Sequence, residues 1–254
     1  MKNLRYIVAV VFALLAVEAM AWTAEVNRAI LMFAEKHLSR KAERELAKII
    51  DTPLCDIKFE NGGKNKTRLN EEGRSVVADA EDAVVRLEKA IVTFANRANS
   101  SEVRKTALLT AVEMVVDIHC PSNILIDKHL EGDFLFLRHN ARPKTSRWYK
   151  VDEWQWQEMW HSSYHRSHGA FSAKMYLYDW QIATKGMAKK YKKEGVAPRK
   201  WAEQTGARVF HSLKTFQPDA VVDMLEITKQ EPINDVAMYD AAFRLAKLLN
   251  KTLN

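Results

Sequence analysis

Apolar residues return every three or four positions along most of this chain, and that spacing commits it to helices. From Trp22 to Ile50 the series Val26, Ile30, Phe33, Leu38, Ala42, Leu46 and Ile49 draws one stripe along a long helix. A second stripe runs through Val77, Ala80, Val84, Leu87, Ile91 and Phe94. A third runs through Val103, Ala107, Ala111, Val115 and Val116, with Ser100 or Ser101 as N-cap and Pro121 closing the segment. Further helices are expected over residues 151–167, 171–193, 198–214 and 236–253. Gly169 breaks the first two apart, and Pro198 suits a first helical turn.

The remainder reads as connection. Asp51 to Leu69 is a loop, punctuated by Pro53 and Gly62-Gly63. Cys120 to Tyr149 is irregular, and Phe134 to Leu137 is a short strand with little to pair with. The 254 residues hold 8 Gly and 6 Pro. Average usage would give roughly 18 and 13, so a turn-dense all-β chain is excluded. No linker or repeat divides the sequence. The expected fold class is all-α, a single-domain compact helical bundle over residues 22–254.

Residues 1–21 read as a secretory signal peptide. Lys2 and Arg5 start it, Tyr6 to Val17 is apolar but short for a bilayer span, and Ala19-Met20-Ala21 is a cleavage site. Glu18 and that site argue against the alternative of an uncleaved anchor. Cleavage would expose Trp22 as the new N-terminus of an exported, periplasmic or secreted protein without an integral membrane segment. Export permits a disulfide, so Cys55 and Cys120 either pair or remain two thiols.

The formal charge is +7, which attracts anions at long range. Lys189, Lys190, Lys192, Lys193, Arg199 and Lys200 concentrate it. They read first as a solvated helix end and second as a nucleic-acid contact.

Three groups of residues could carry chemistry. His161, His165 and His168 fall on one helix face, and the first two are spaced to share a metal. The alternative is two histidines packed among tryptophans. Glu113 and Asp117 share a face that is otherwise apolar, with His119 close behind. Two buried carboxylates need a cation or donors; edge exposure or salt bridges would answer the same pattern. A free α-amino group at Trp22 has a pKa of about 7.7–8.0, low enough for a metal to displace its proton.

These groups, taken together, resemble the zinc-dependent single-strand nucleases of the S1/P1 type, relatives of bacterial zinc phospholipase C. Asp117-Ile118-His119-Cys120-Pro121 is similar to the family's Gly-Asp-x-His-Gln-Pro-Leu-His box. His161-Ser162-Ser163-Tyr164-His165 is similar to Leu-His-x-x-Trp-Asp, and Trp201-Ala202-Glu203-Gln204 to Trp-Ala-x-Glu. Ala242 to Asn250 resembles the tail Gly-Tyr-Arg-Leu-Ala-x-Leu-Leu-Asn. The boxes follow in family order from Trp22 onward.

The resemblance implies an exported phosphodiesterase acting on single-stranded nucleic acid or nucleotides, or less readily on a phospholipid headgroup, as a monomer. It implies zinc, up to three ions, with Asp117 as the catalytic metal-bridging carboxylate. Trp22, Asp117 and His161 match family ligands. Glu113 stands at a histidine position, Asn27 at the first-helix histidine, Asn123 at the last histidine of the proline box and His165 at the final aspartate. His119 and His168 are auxiliary candidates. The Trp-Ala-Asp-Glu segment between the first two long helices is missing. One zinc is therefore expected more readily than three. The competing expectation is an inactive descendant that binds an anionic or protein partner. Trp148, Trp154, Trp156 and Trp160 could stack bases or meet a membrane, but packing is their first reading.

Overall fold

The computed structural model describes residues 22–59, 65–76, 79–126, 135–139, 145–147, 151–156, 159–160, 171–216 and 220–254. The fold is mostly helical. Helix α1 (Ala24–Lys36) is capped by the Thr23 hydroxyl, which accepts from the Val26 amide at 3.2 Å. The stripe expected to continue to Ile50 is interrupted. Ser39 caps a separate helix α2 (Arg40–Leu46), its hydroxyl accepting from the Ala42 amide. A hydroxyl that satisfies a free amide makes a new start cheaper than continuation.

Helix α3 (Ala83–Ala95) is capped by Asp82 and α4 (Ser101–Asp117) by Ser100, and the two pack as a hairpin. The loop expected over 51–69 holds a 3₁₀ turn (Leu54–Asp56) and a strand β1 (Thr67–Leu69). A second 3₁₀ turn (Pro121–Asn123) follows α4 and leads into β2 (Ile124–Ile126), which pairs in parallel with β1.

The all-α expectation needs correction at a second sheet. Strand β3 (Leu135–His139) lies at the expected place but has partners on both sides. One is β4 (Val151–Gln155), antiparallel, with Leu135 opposite Gln155 and His139 opposite Val151. The other is β5 (Val221–Asp223), parallel. The helix expected over 151–167 therefore begins as a strand. Ladder hydrogen bonds to a remote segment outweigh the local helical spacing. Residues 161–170 lie outside the described residues, as do 1–21 with the signal peptide expectation.

The single helix expected over 171–193 is two, α5 (Ala173–Ala183) and α6 (Ala188–Lys193), turned at Gly186 with a φ of 88°. Helix α7 (Pro198–Ser212) starts on its proline as expected. A short α8 (Met224–Thr228), capped by Asp223, precedes the long α9 (Glu231–Leu253).

Helix α9 runs through the middle of the molecule. Its Leu245, Ala246, Leu248, Leu249 and Leu253 join the core formed by α2, α3 and α4. Its Ala237, Met238, Ala241 and Phe243 join the core formed by Trp22, α1 and α5. A third core lies under the sheets, with Leu69, Ile124, Trp156, Trp160 and Phe216. The end of α9 also clasps the α1–α2 corner. Asn250 Oδ1 accepts from the Ser39 amide at 2.6 Å, and its Nδ2 donates to the His37 carbonyl at 2.9 Å.

Candidate carboxylate site

Glu113 and Asp117 lie four residues apart on α4, and both are buried. The helix repeat puts them one above the other. The structure brings them to one point, because Asn65 Nδ2 donates to Glu113 Oε1 at 3.1 Å and to Asp117 Oδ2 at 2.6 Å. Arg86 of α3 in turn donates to Asn65 Oδ1. Asn123, in the turn after α4, donates from Nδ2 to Asp117 Oδ1 at 3.3 Å. Lys66 Nζ donates to Asn123 Oδ1 and to the Ser122 carbonyl, both at 3.1 Å.

The electrostatics follow from that placement. Burial raises the Asp117 carboxyl to about 8, the Asn65 hydrogen bond opposes the rise, and the neighbouring Glu113 adds to it. Removal from water is the leading cause, so the protonated, neutral form of Asp117 is favoured. Burial also raises the Cys120 thiol, to about 12. Cys55 and Cys120 are both thiols, and no disulfide joins them.

The Trp22 side chain is buried next to this helix, in one cluster with Val116 and Cys120. Its indole Nε1 donates to Asn234 Oδ1 of α9 at 3.4 Å, and Asn234 Nδ2 donates to the Trp160 carbonyl at 2.7 Å. One asparagine therefore ties the residue before His161 to Trp22. His161, His165 and His168 themselves lie outside the described residues. Asn27 is buried on α1, and neither atom of its amide has a hydrogen-bond partner among the described residues.

His119 departs from the expected auxiliary role. Its Nδ1 faces the Val115 carbonyl at 2.6 Å and its Nε2 faces Arg244 Nη1 at 3.0 Å. A guanidinium only donates, so Nε2 accepts and Nδ1 carries the proton. The lone pair a metal would need is taken. Residues two apart on a helical turn point to opposite sides, which is why His119 leaves Asp117 behind. It joins a separate network on the far side of α4. There Arg244 meets Glu194 at 2.7 Å and Asp240 at 3.4 Å, and Arg208 meets Asp240 at 2.6 Å. Tyr191 donates to the same aspartate, and Gln204 accepts from Arg244. Burial first, and Arg244 second, push the His119 imidazole down to about 3.

Sequence reasoning missed Asn65, Lys66 and Arg86. The one available signal was indirect: a buried carboxylate pair requires donors from somewhere. Glu203, in the Trp-Ala-Glu-Gln stretch, accepts from the Ser75 amide at 3.2 Å and takes no part in the site.

As a test of fit to zinc, the described residues offer the oxygens of Glu113 and Asp117, converging on one point. The Asn123 carbonyl oxygen is turned to Lys66. Among the described residues no group of three or more His, Cys, Asp and Glu is placed to hold a metal. A complete ligand set would therefore draw on the histidines at 161–168.

The fold and site define a mostly helical protein with a buried carboxylate pair bridged by an amide. Compared with known proteins, the chain matches no family model and no curated sequence.

Proposed function

We propose that the chain is an exported phosphodiesterase-like protein that binds zinc at Glu113, Asp117 and His161 and acts on single-stranded nucleic acid. The observation that carries this reading is the convergence of the Glu113 and Asp117 oxygens on one buried point, within 3.1 and 2.6 Å of the same nitrogen. A point between two buried carboxylates is where a cation gains most. The tether from Trp22 through Asn234 to Trp160 supports bringing His161 to the same end of α4. When bound, zinc would polarise a phosphoryl oxygen and lower the pKa of a water. The chain's own part would be to hold that charge. Asp117 and Glu113 supply it, Asn123 orients Asp117, and Lys66 keeps Asn123 fixed through its side-chain oxygen.

The same geometry favours a second reading in one respect. Asn65, Lys66 and Arg86 already supply donors and positive charge to the pair. A cluster satisfied in this way needs no metal, and the protein would then be a non-catalytic binder of an anionic or protein partner.

Bound zinc per chain, measured after equilibration with micromolar zinc, separates the two. The first reading expects at least one tightly held ion, lost in Glu113→Gln and His161→Ala, and zinc-dependent release of nucleotides from single-stranded DNA. Folded protein that holds no zinc and binds oligonucleotide without turnover supports the second. Hydrolysis unchanged by both substitutions would sink the first.

A further inference from the structure

Away from the buried cluster, two neighbouring helices present side chains that neither the proposed chemistry nor the core uses. Helix α5 turns Tyr176, Leu177 and Trp180 inward. Outward it presents Met175, Tyr178 and Ile182, which are 47%, 66% and 61% exposed. Spacings of three and four residues set these three on one face. Ordinary surface apolar residues are scattered singly; a row of three large ones on one helix is a patch.

Four residues separate the end of α5 from the start of helix α6. Its Tyr191 is buried, stacked on Phe243 with ring centroids 4.3 Å apart. Around that anchor Lys189, Lys190, Lys192 and Lys193 all face solvent and line a concavity of about 380 Å³. None of the four forms an ion pair among the described residues. Glu194, next in sequence, is held by the buried Arg244. Six lysines and a single acid, Asp179, fall between residues 172 and 193.

The two helices are fixed to one aromatic cluster. Trp180 of α5 meets Phe33 at 6.4 Å, Phe33 meets Phe243 at 5.0 Å, and Phe243 carries Tyr191 of α6. Both helices are thus anchored inward at one cluster and joined by a four-residue turn, which keeps the exposed apolar row and the exposed lysines in one part of the molecule.

We propose that α5 and α6 form a peripheral docking surface for an anionic lipid bilayer. Met175, Tyr178 and Ile182 would meet the acyl boundary, and Lys185, Lys189, Lys190, Lys192 and Lys193 the headgroups. Nucleic acid fits this surface less well. Only Tyr178 has a ring on which a base could stack, whereas an interface takes aliphatic side chains and tyrosine alike. Lysines that form no ion pair among the described residues give the surface its preference for anionic lipid. Asp179 subtracts from that attraction without cancelling it. The surface shares no residue with the zinc reading, and either can fail alone.

Sedimentation of the purified protein with vesicles tests this. Vesicles of mixed phosphatidylcholine and phosphatidylglycerol should bind it, phosphatidylcholine alone should bind it far less, and added salt should release it. Replacing Lys189, Lys190, Lys192 and Lys193 with glutamine should weaken binding by roughly 100-fold, at about fivefold or less per lysine. The pair Tyr178→Ser and Ile182→Ser should weaken it about tenfold while salt sensitivity remains. Circular dichroism confirms that each variant folds. Equal binding to both vesicle types overturns the proposal, and so does binding indifferent to the glutamines. Oligothymidylate binding that is lost with the glutamines, while vesicles are ignored, would reassign the lysines to a nucleic-acid backbone.

Discussion

The indole of Trp22 donates to Asn234 across 212 positions of sequence. The same amide donates to Trp160, so one side chain holds the start of the described chain against the segment that precedes the histidines. Asn234→Ala removes both bonds and leaves two buried groups without partners. It should cost about 1–3 kcal/mol of stability, measured by urea denaturation. Under the zinc reading it should also weaken zinc binding, because Trp22 and the histidine segment lose their common tether.

Asp117 gives stability a slope against pH. Its carboxyl keeps its proton in the folded state up to about pH 8 but loses it near the ordinary carboxylate value when unfolded. The folded state thus binds more protons across that window, and stability falls as pH rises through it. Asp117→Asn should flatten the fall and raise the melting temperature of metal-free protein near the top of the window. If zinc binds here, saturating zinc should reverse the sign and make the same substitution destabilising.

His119 contributes the opposite slope. Its folded imidazole resists protonation down to about 3, whereas the unfolded chain takes a proton near the ordinary histidine value of 6.5. Stability from this group is complete above about 6.5 and is lost as pH falls toward 3. Where the two windows overlap the slopes offset each other. Melting temperature against pH should show a plateau on the acid side of neutrality, falling away in both directions. His119→Gln should abolish that plateau, leaving stability to climb steadily as pH falls from about 8 toward the ordinary carboxylate range, and a profile unchanged by the substitution would contradict the assignment.

Gly206 of α7 lies directly against Leu69 of β1, with no room for a Cβ before the Leu69 side chain must move. Leu69 is fully buried, so it has little space to yield. Gly206→Ala should therefore destabilise by about 1–3 kcal/mol despite the better helix propensity of alanine. Combined with Leu69→Ala it should cost less than the sum of the two changes, which a double-mutant cycle reads directly.

The helices were legible in the sequence because their signal is local. Val84, Leu87 and Phe94 announce α3 by spacing alone, and Pro198 marks the start of α7. Strand β4 was not legible, because Val151 to Gln155 take their conformation from β3, and β3 is flanked by β5 some 80 residues away. The Glu113–Asp117 pair could be read, since four residues on a helix fix a shared face whatever surrounds it. Asn65 and Lys66 come from a loop and Arg86 from a helix face that looks solvent-bound. Nothing in their own neighbourhoods says that they converge on Asp117. His119 misled for a geometric reason, being near Asp117 in sequence but on the other side of the turn.

The clasp of Asn250 on His37 and Ser39 has a bearing on how the molecule comes into being. Helix α9 is made after the other described helices, yet it supplies inner surface to both helical cores and fastens the α1–α2 corner. A chain emerging from the ribosome must keep Leu31, Phe33, Leu87 and Leu108 without their final partners until that helix arrives. The two helical cores therefore close only once α9 is available, and until then α1 to α4 stay exposed to capture or aggregation.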